Sequence, residues 1–164
     1  MAVPDTAADR SGPPDSGDLR DGGHRFAIRV YYADTDAGGI VYHANYLGFL
    51  ERARTEMLRR IGITHAGLQR ETGLAMAVAD CSVQFLRPAR LDDALMIHTT
   101  LADVKGATMR AEQTVLRDGQ VLVRAQVRIA CIDREGRPRR VPETLRRALA
   151  RISENRTAGG DGTP

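Results

Sequence analysis

The second half of this 164-residue chain is a succession of four strand-like segments joined by short links. The segments are residues 75–86, 94–104, 107–117 and 120–133, and apolar residues alternate with polar ones along them. Asp118-Gly119, between the last two segments, is a strong two-residue hairpin signal. Parallel strands need a crossover of a dozen or more residues, which these links do not supply. The pattern therefore predicts antiparallel pairing, and it constrains the fold more than any other feature.

A long amphipathic helix, residues 45–61, precedes these strands. Its apolar positions recur every three or four residues and form one stripe. They are Tyr46, Phe49, Leu50, Ala53, Met57 and Ile61. Asn45 is the predicted N-cap and Gly62 the predicted C′ residue. A long helix beside an antiparallel sheet favours an α+β fold in which a curved sheet packs around the helix.

Three smaller elements complete the predicted order. A first strand is indicated by the alternation of Phe26, Ile28, Val30 and Tyr32 with their neighbours. A short helix is predicted over residues 64–71. Pro142 opens a final amphipathic helix, because proline fits the first helical turn. The prediction is therefore five strands, a long central helix and a C-terminal helix.

The two ends differ in composition from the part between them. Residues 1–23 are rich in Pro, Gly, Asp and Ser and are predicted to be a disordered leader. Residues 24–155 form the predicted domain, and residues 156–164 a flexible tail. No secretory signal is visible, and no run approaches the roughly 20 apolar residues of a membrane span. We expect a cytoplasmic protein without a transmembrane segment.

Charge and metal-binding residue types narrow the function classes. The net charge is +3, too weak to indicate nucleic-acid binding without a basic run interleaved with aromatic residues. Cys81 and Cys131 are predicted to be buried free thiols, since their spacing fits neither a zinc site nor a disulfide framework. His24, His65 and His98 are too scattered for a metal site, so no metal or cofactor is expected.

The stretch ADTDAGGIVYHANY, residues 33–46, carries the chemistry-bearing residues. It holds two carboxylates and two glycines immediately before the long helix, whose first N–H groups carry a partial positive charge. A carboxylate facing a carbonyl carbon, with the carbonyl oxygen at the helix end, is the minimum apparatus for acyl hydrolysis. Asp and Gly are also ordinary turn and capping residues, so these residues alone leave a structural role open. No G-x-S-x-G elbow supports serine hydrolase chemistry.

Residues 29–59, RVYYADTDAGGIVYHANYLGFLERARTEMLR, resemble the signature of the 4-hydroxybenzoyl-CoA thioesterase superfamily. The nearest branch is that of acyl-CoA thioesterases associated with the Tol–Pal system, which PARLDD, residues 88–93, also resembles. The likeness extends more loosely over residues 25–150. It implies the hotdog fold, a five-stranded antiparallel sheet wrapped around a central helix. It also implies homodimers or homotetramers with active sites at the subunit interface.

The resemblance assigns roles to individual residues. Asp36 is implied to be the catalytic nucleophile or general base, and the backbone N–H at His43 to bind the thioester oxygen. The His43 side chain either orients substrate or water or makes a structural hydrogen bond. Asp34 is expected to stabilise the turn by accepting backbone N–H bonds. The implied substrate-binding residues are Gly38, Gly39, Tyr42, Asn45, Tyr46 and Arg90. The implied substrate is acyl-CoA, with acyl carrier protein as a second candidate donor.

Three other functions compete with the thioesterase. Asp34-x-Asp36 after an apolar strand could begin a magnesium-dependent phosphatase, but the chain lacks the alternating strands and helices of a parallel sheet. A domain that only binds acyl groups or proteins would have no need of Asp36. A dehydratase of the same fold generally uses a histidine and an acidic residue across the interface. The acyl group itself is not specified by the sequence.

Overall fold

An antiparallel sheet of six strands dominates the computed structural model, which describes residues 15–154. The strands are β1 Asp18–Arg20, β2 Gly23–Arg29, β3 Ala75–Phe85, β4 Ala94–Lys105, β5 Thr108–Arg117 and β6 Gln120–Ile132. The helices are α1 Asn45–Arg60, α2 His65–Thr72 and α3 Glu143–Glu154. This arrangement confirms the α+β class. None of these helices is long and apolar enough to span a membrane.

The order of the strands across the sheet is β1-β2-β4-β5-β6-β3. All pairs are antiparallel, as predicted, and Asp118-Gly119 forms the turn between β5 and β6. β3, however, does not pair with the next strand along the chain. It pairs with β6 at the far edge, with Phe85 opposite Val123, whereas β4 pairs with β2. The link over residues 86–93 therefore carries the chain from one side of the sheet to the other.

The sixth strand, β1, lies where the sequence predicted a leader without structure. It forms a hairpin with β2 through Asp21-Gly22, both with positive φ, which is the geometry of a tight two-residue turn. The buried His24 ring donates from Nε2 to the Ser16 carbonyl (2.7 Å), and burial lowers the pKa of His24, which favours the neutral imidazole. A three-residue strand has no periodicity to detect. Residues 1–14 and the predicted tail, residues 156–164, lie outside the described residues.

Helix α1 packs its apolar stripe against the inward face of the sheet. Five of the six predicted stripe residues are buried. The exception is Ile61, which is only partly buried, and Leu58, which was not predicted, is buried instead. The first half of the helix shares a core with strands β4, β5 and β6. This core contains Tyr46, Phe49, Leu50, Ala53, Leu95, Ile97, Val115 and Val123. The helix is therefore held to the sheet mainly by apolar burial.

A second core covers the other end of the same sheet face. Leu145, Leu149 and Ile152 of α3 pack there with residues of β5 and β6. Cys131 is buried in this core, as predicted. Cys81 is exposed, because β3 is an edge strand that the helices cover only in part, so the prediction of a buried thiol is wrong for Cys81.

The two ends of α1 differ from each other. The N-cap is Ala44, which makes no side-chain capping bond, so the prediction of Asn45 as N-cap is wrong by one residue. At the other end Gly62 has φ +81°, and its N–H donates to Arg59 O. The Ile63 N–H donates to Leu58 O, completing a Schellman motif with Gly62 as the predicted C′ residue.

We expect Gly62→Ala and Gly48→Ala to change stability in opposite directions. A side chain at Gly62 meets no atom within 4 Å, so Gly62→Ala isolates the cost of the left-handed backbone, about 1–2 kcal/mol. Gly48 lies in α1 with equally open space, and Gly48→Ala should stabilise by roughly 0.5–1 kcal/mol. Urea unfolding measures both. Equal effects from the two substitutions would contradict this account of the helix end.

Candidate active site

A small hairpin, residues 35–41, follows the first long strand and carries the two glycines. Thr35 bridges to Val41, and the Asp36 N–H donates to Ile40 O (3.0 Å). The Gly39 N–H donates to Asp36 O (2.9 Å), and Gly39 adopts φ +73°. A residue with a side chain would be strained at this position, so glycine is needed to close the turn.

The Asp36 carboxylate projects from this turn and is exposed to solvent. Its Oδ1 accepts the Gly38 N–H at 2.8 Å, which fixes the carboxylate over the turn. Within residues 15–154, Oδ2 accepts no hydrogen bond, so this oxygen is open to water or a substrate. A Cβ at Gly38 would lie 3.0 Å from Oδ1, so the lack of a side chain there leaves room around the carboxylate.

Asp34 joins the loop to the start of α1. Its Oδ2 accepts the Tyr31 N–H (2.8 Å), which confirms the predicted turn-stabilising role. Its backbone oxygen accepts the Tyr42 N–H (2.9 Å). The Asn45 side chain donates to Ala33 O at 3.2 Å and lies 3.4 Å from Asp34 Oδ1. Asn45 therefore holds the loop against the helix.

The start of α1 presents backbone N–H groups without a capping side chain. No acidic residue lies in the first turn, so the partial positive charge of the helix end is not neutralised by its own side chains. In the part of the chain that the structure describes, the His43 N–H has no acceptor. The His43 side chain is exposed, with its ring centroid 4.5 Å from that of Tyr42. This end can accept an anionic oxygen.

A cleft of about 300 Å³ opens beside this helix start. Its walls are Ile40, Val41, Tyr46, Phe85, Leu86 and Pro88, with His43 and Arg87 at the polar positions. Phe85 is 50% exposed and packs against the rings of His43 and Tyr46. The cleft therefore offers an apolar surface next to the helix end. Asp36 is not one of the lining residues, but its N–H donates to the backbone oxygen of Ile40, which is one.

Tyr46 connects the helix to the second loop of the site. Its side chain is buried, and its Oη accepts the Ala89 N–H at 3.1 Å. Burial raises the pKa of Tyr46, which outweighs the opposing effect of the Ala89 hydrogen bond, so the phenol stays protonated at neutral pH. Tyr46 thus holds the second loop as well as lining the cleft.

Arg90 is brought to the hairpin by a turn that Asp93 stabilises. The Arg90 backbone bridges to Ile40, and the Arg90 N–H donates to Asp93 Oδ2 (2.8 Å). Arg117 donates to the same carboxylate oxygen at 2.6 Å. Burial alone would raise the pKa of Asp93, but the Arg90 N–H and the Arg117 guanidinium lower it below the usual value. The Arg90 side chain itself is exposed.

The structure collects the predicted site residues around two adjacent loops, residues 33–46 and 87–93. The prediction missed the apolar side of the site, formed by Phe85, Leu86 and Pro88. A signal was present in the sequence. Phe85 and Leu86 are consecutive apolar residues at a strand end. Successive side chains of a strand point to opposite faces of the sheet, so the two residues cannot both face the core.

Comparisons with known proteins identify a family for this chain. A family model described as the thioesterase-like superfamily matches residues 30–149. The acyl-CoA thioesterase YbgC of Haemophilus influenzae is 48% identical over 115 residues, which are 70% of this chain and 85% of that protein. The acyl-CoA thioester hydrolase YbgC of Escherichia coli is 41% identical over 123 residues, 74% of this chain and 91% of that protein.

Solved structures of similar proteins share the fold. A probable thioesterase from Bartonella henselae superposes with a TM-score of 0.70 at 43% identity, over 73% of this chain and 99% of that one. A 4-hydroxybenzoyl-CoA thioesterase bound to 4-hydroxybenzoyl-CoA superposes with a TM-score of 0.73 over 77% of this chain and 98% of that one. Its identity is 22%, so it supports the fold alone.

Removing the Tyr46 hydroxyl should destabilise the protein, because it leaves the Ala89 N–H without its buried acceptor. For Tyr46→Phe we expect a loss of roughly 1–3 kcal/mol in the free energy of unfolding, measured in urea. Tyr42→Phe is the matched control, since Tyr42 is 46% exposed and its change should stay within about 0.5 kcal/mol. Equal stabilities for the two variants would show that the hydrogen bond to Ala89 contributes nothing.

Proposed function

The chain belongs to the thioesterase-like superfamily, and from that premise we propose that it is an acyl-CoA thioesterase with its reaction centre between Asp36 and the start of α1. The reaction converts acyl-CoA to a free acid and CoA. One observation carries the placement. Asp36 presents an open carboxylate oxygen in the same loop that ends at the uncapped His43 N–H. The sheet packed on α1 agrees with the hotdog arrangement of thioesterases.

Asp36 and the His43 N–H have complementary tasks in the proposed mechanism. The thioester oxygen accepts the His43 N–H, so negative charge developing on that oxygen meets the positive helix end. Asp36 either attacks the carbonyl carbon or removes a proton from the attacking water. The new C–O bond forms as the C–S bond breaks, and the CoA thiolate takes up a proton. Along the nucleophilic route, water then hydrolyses the anhydride formed on Asp36.

The remaining predicted residues shape the substrate site in this proposal. Gly38 and Gly39 keep the approach to the carboxylate open, and the cleft beside Phe85 receives apolar substrate atoms. Tyr42 and the His43 side chain border the helix end. Arg90, with an exposed guanidinium, is the proposed partner of a CoA phosphate, because the guanidinium fork matches phosphate geometry. Acyl groups on acyl carrier protein remain a second substrate class to test.

A second copy of the chain is proposed to complete the site. β3 is a sheet edge that bears exposed apolar side chains, Val78 at 53% and Phe85 at 50% exposure. Such an edge favours pairing with another strand. In an antiparallel pair of β3 strands, the Phe85 end of one chain lies beside the Ala75 end of its partner. The partner would then border the catalytic cleft. A tetramer and a link to the Tol–Pal system stay predictions from the resemblance, and a cytoplasmic location stays a prediction from the sequence.

The antiparallel sheet argues against the phosphatase alternative. A phosphatase beginning with Asp34-x-Asp36 was expected to need strands that alternate with helices in a parallel sheet. All paired strands among the described residues are antiparallel. Asp34 is also committed to the Tyr31 N–H. No observation favours a dehydratase over a thioesterase.

Asp36→Asn should abolish most acyl-CoA hydrolysis without unfolding the chain. The asparagine oxygen can still accept the Gly38 N–H, but the side chain is neither a nucleophile nor a base. We expect kcat to fall by at least about 10²-fold, measured by release of free CoA. Asp118→Asn, a matched change in the exposed turn between β5 and β6, should keep wild-type turnover.

Two results would contradict the proposal. Wild-type turnover by Asp36→Asn would remove Asp36 from the mechanism. Tight binding of acyl-CoA by the wild-type chain without release of CoA would identify a binding domain instead. Short, medium, long and aryl CoA thioesters should all be assayed, so that an unsuitable acyl group is not mistaken for inactivity.

Val78→Asp tests the proposed subunit interface. A carboxylate at an exposed position of β3 should be tolerated by the isolated chain, but it would place charge in an apolar contact between two β3 strands. We expect a dimer to become a monomer in light scattering, with loss of CoA release. Met96→Asp, at a residue 39% exposed on β4, should remain at least dimeric. A fully active Val78→Asp monomer would overturn the shared site.

A further inference from the structure

A buried amide joins α1 to the sheet in the centre of the molecule. Gln113 of β5 is 1% exposed. Its Nε2 donates to the Leu50 backbone oxygen (2.9 Å) and to Thr99 Oγ1 on β4 (2.9 Å). Its Oε1 accepts from Arg54 Nη1 at 2.8 Å. Both amide hydrogens and the amide oxygen are therefore used.

The partners of Gln113 leave only one orientation of the amide. The Leu50 carbonyl can only accept, and the Arg54 guanidinium can only donate. A flipped amide would place oxygen against the carbonyl and NH₂ against the guanidinium. Glutamate could satisfy Arg54 but would face the Leu50 carbonyl with a second acceptor, and an apolar residue would satisfy neither. Burial partly desolvates the Arg54 guanidinium and lowers its pKa, so its charge needs an acceptor.

This arrangement fixes α1 in a way that apolar contacts do not. Leu50 and Arg54 lie one helical turn apart on α1, and Thr99 anchors the amide on the neighbouring strand. Apolar packing is non-directional and tolerates small shifts of a helix along a sheet. Three hydrogen bonds to one side chain do not, because a shift leaves a buried polar group unpaired; two of the three are buried, and the one from Arg54 is partly buried.

We infer that Gln113 is a positioning residue for thioester hydrolysis, acting through α1 on the oxyanion-binding N–H at its start. The inference rests on the function proposed above. Leu50 follows Asn45, the first residue of α1, by five residues, a distance of about 7.5 Å along a helix at 1.5 Å per residue. His43 lies two residues before Asn45, and the Asn45 N–H donates to Tyr42 O on its far side, which ties His43 to the helix start. A helix moves as a rigid rod over that length, so a shift at Leu50 also moves the N–H groups at its start. Misplacement by about 1 Å can cost about 10²-fold in rate.

Gln113→Met tests the inference, because methionine has a similar length and makes none of the three hydrogen bonds. We expect kcat for CoA release to fall about tenfold or more, while KM changes less than about twofold. Hydrogen exchange should also become faster at the backbone amides of residues 43–50. Val115→Ala is the control, since Val115 is fully buried on the same strand and contributes only apolar contacts. It should lower the unfolding temperature and leave both kcat and exchange at residues 43–50 near wild type.

Thr99→Val provides a second variant should Gln113→Met fail to fold. It removes the anchor on β4 while the bonds from Gln113 to α1 remain possible, and we expect the same signs with smaller changes. Wild-type kcat and exchange in the Gln113 variant, or equal losses in Val115→Ala, would overturn the inference. An inactive wild-type chain would refute the proposed function instead, and the exchange data would still decide whether Gln113 positions α1.

Discussion

The burial of the α1 stripe against the inward face of the sheet is the interaction on which the rest of the structure depends. Phe49, Leu50 and Ala53 are at most 2% exposed, and they share one core with β4, β5 and β6. Burying a side chain of this kind contributes about 1.5–3 kcal/mol for the larger ones. Without this contact the sheet would expose its apolar face, and the two loops of the site would have no common support.

The same contact holds the start of α1 beside the site loops, where no side chain caps its first N–H groups. Hydrogen bonds to three side chains hold the loops around that end in place. Asp34 holds residues 31–42, Tyr46 holds Ala89, and Asp93 holds the turn at Arg90. The catalytic carboxylate of the proposal is left exposed, whereas its neighbours serve structure. A rigid frame around one open carboxylate suits a reaction that depends on orientation.

Polar groups inside the core serve a different purpose from those at the site. Gln113 uses every hydrogen-bonding group it has, so its burial cost is offset only when α1 sits in one place. Apolar burial thus stabilises the contact between α1 and the sheet, and the Gln113 amide fixes the position of α1 along the sheet. At the sheet edge, apolar rather than polar side chains are left without cover. β3 leaves Val78 and Phe85 exposed for the second chain that the proposal requires.

The sequence by itself determined which of the longer segments form strands and helices, because alternation with a period of 2 or 3.6 reports local burial, but it missed the three-residue β1. It also determined the hairpin at Asp118-Gly119, the C′ glycine of α1 and the turn role of Asp34, since each depends on neighbours within a few residues. Only the tertiary structure decided that β3 pairs with β6, that α1 starts without a capping side chain and that Phe85 and Leu86 line the cleft. Those outcomes depend on contacts between residues far apart in the chain. Periodicity records that a residue is covered, but it carries no information about which distant surface covers it.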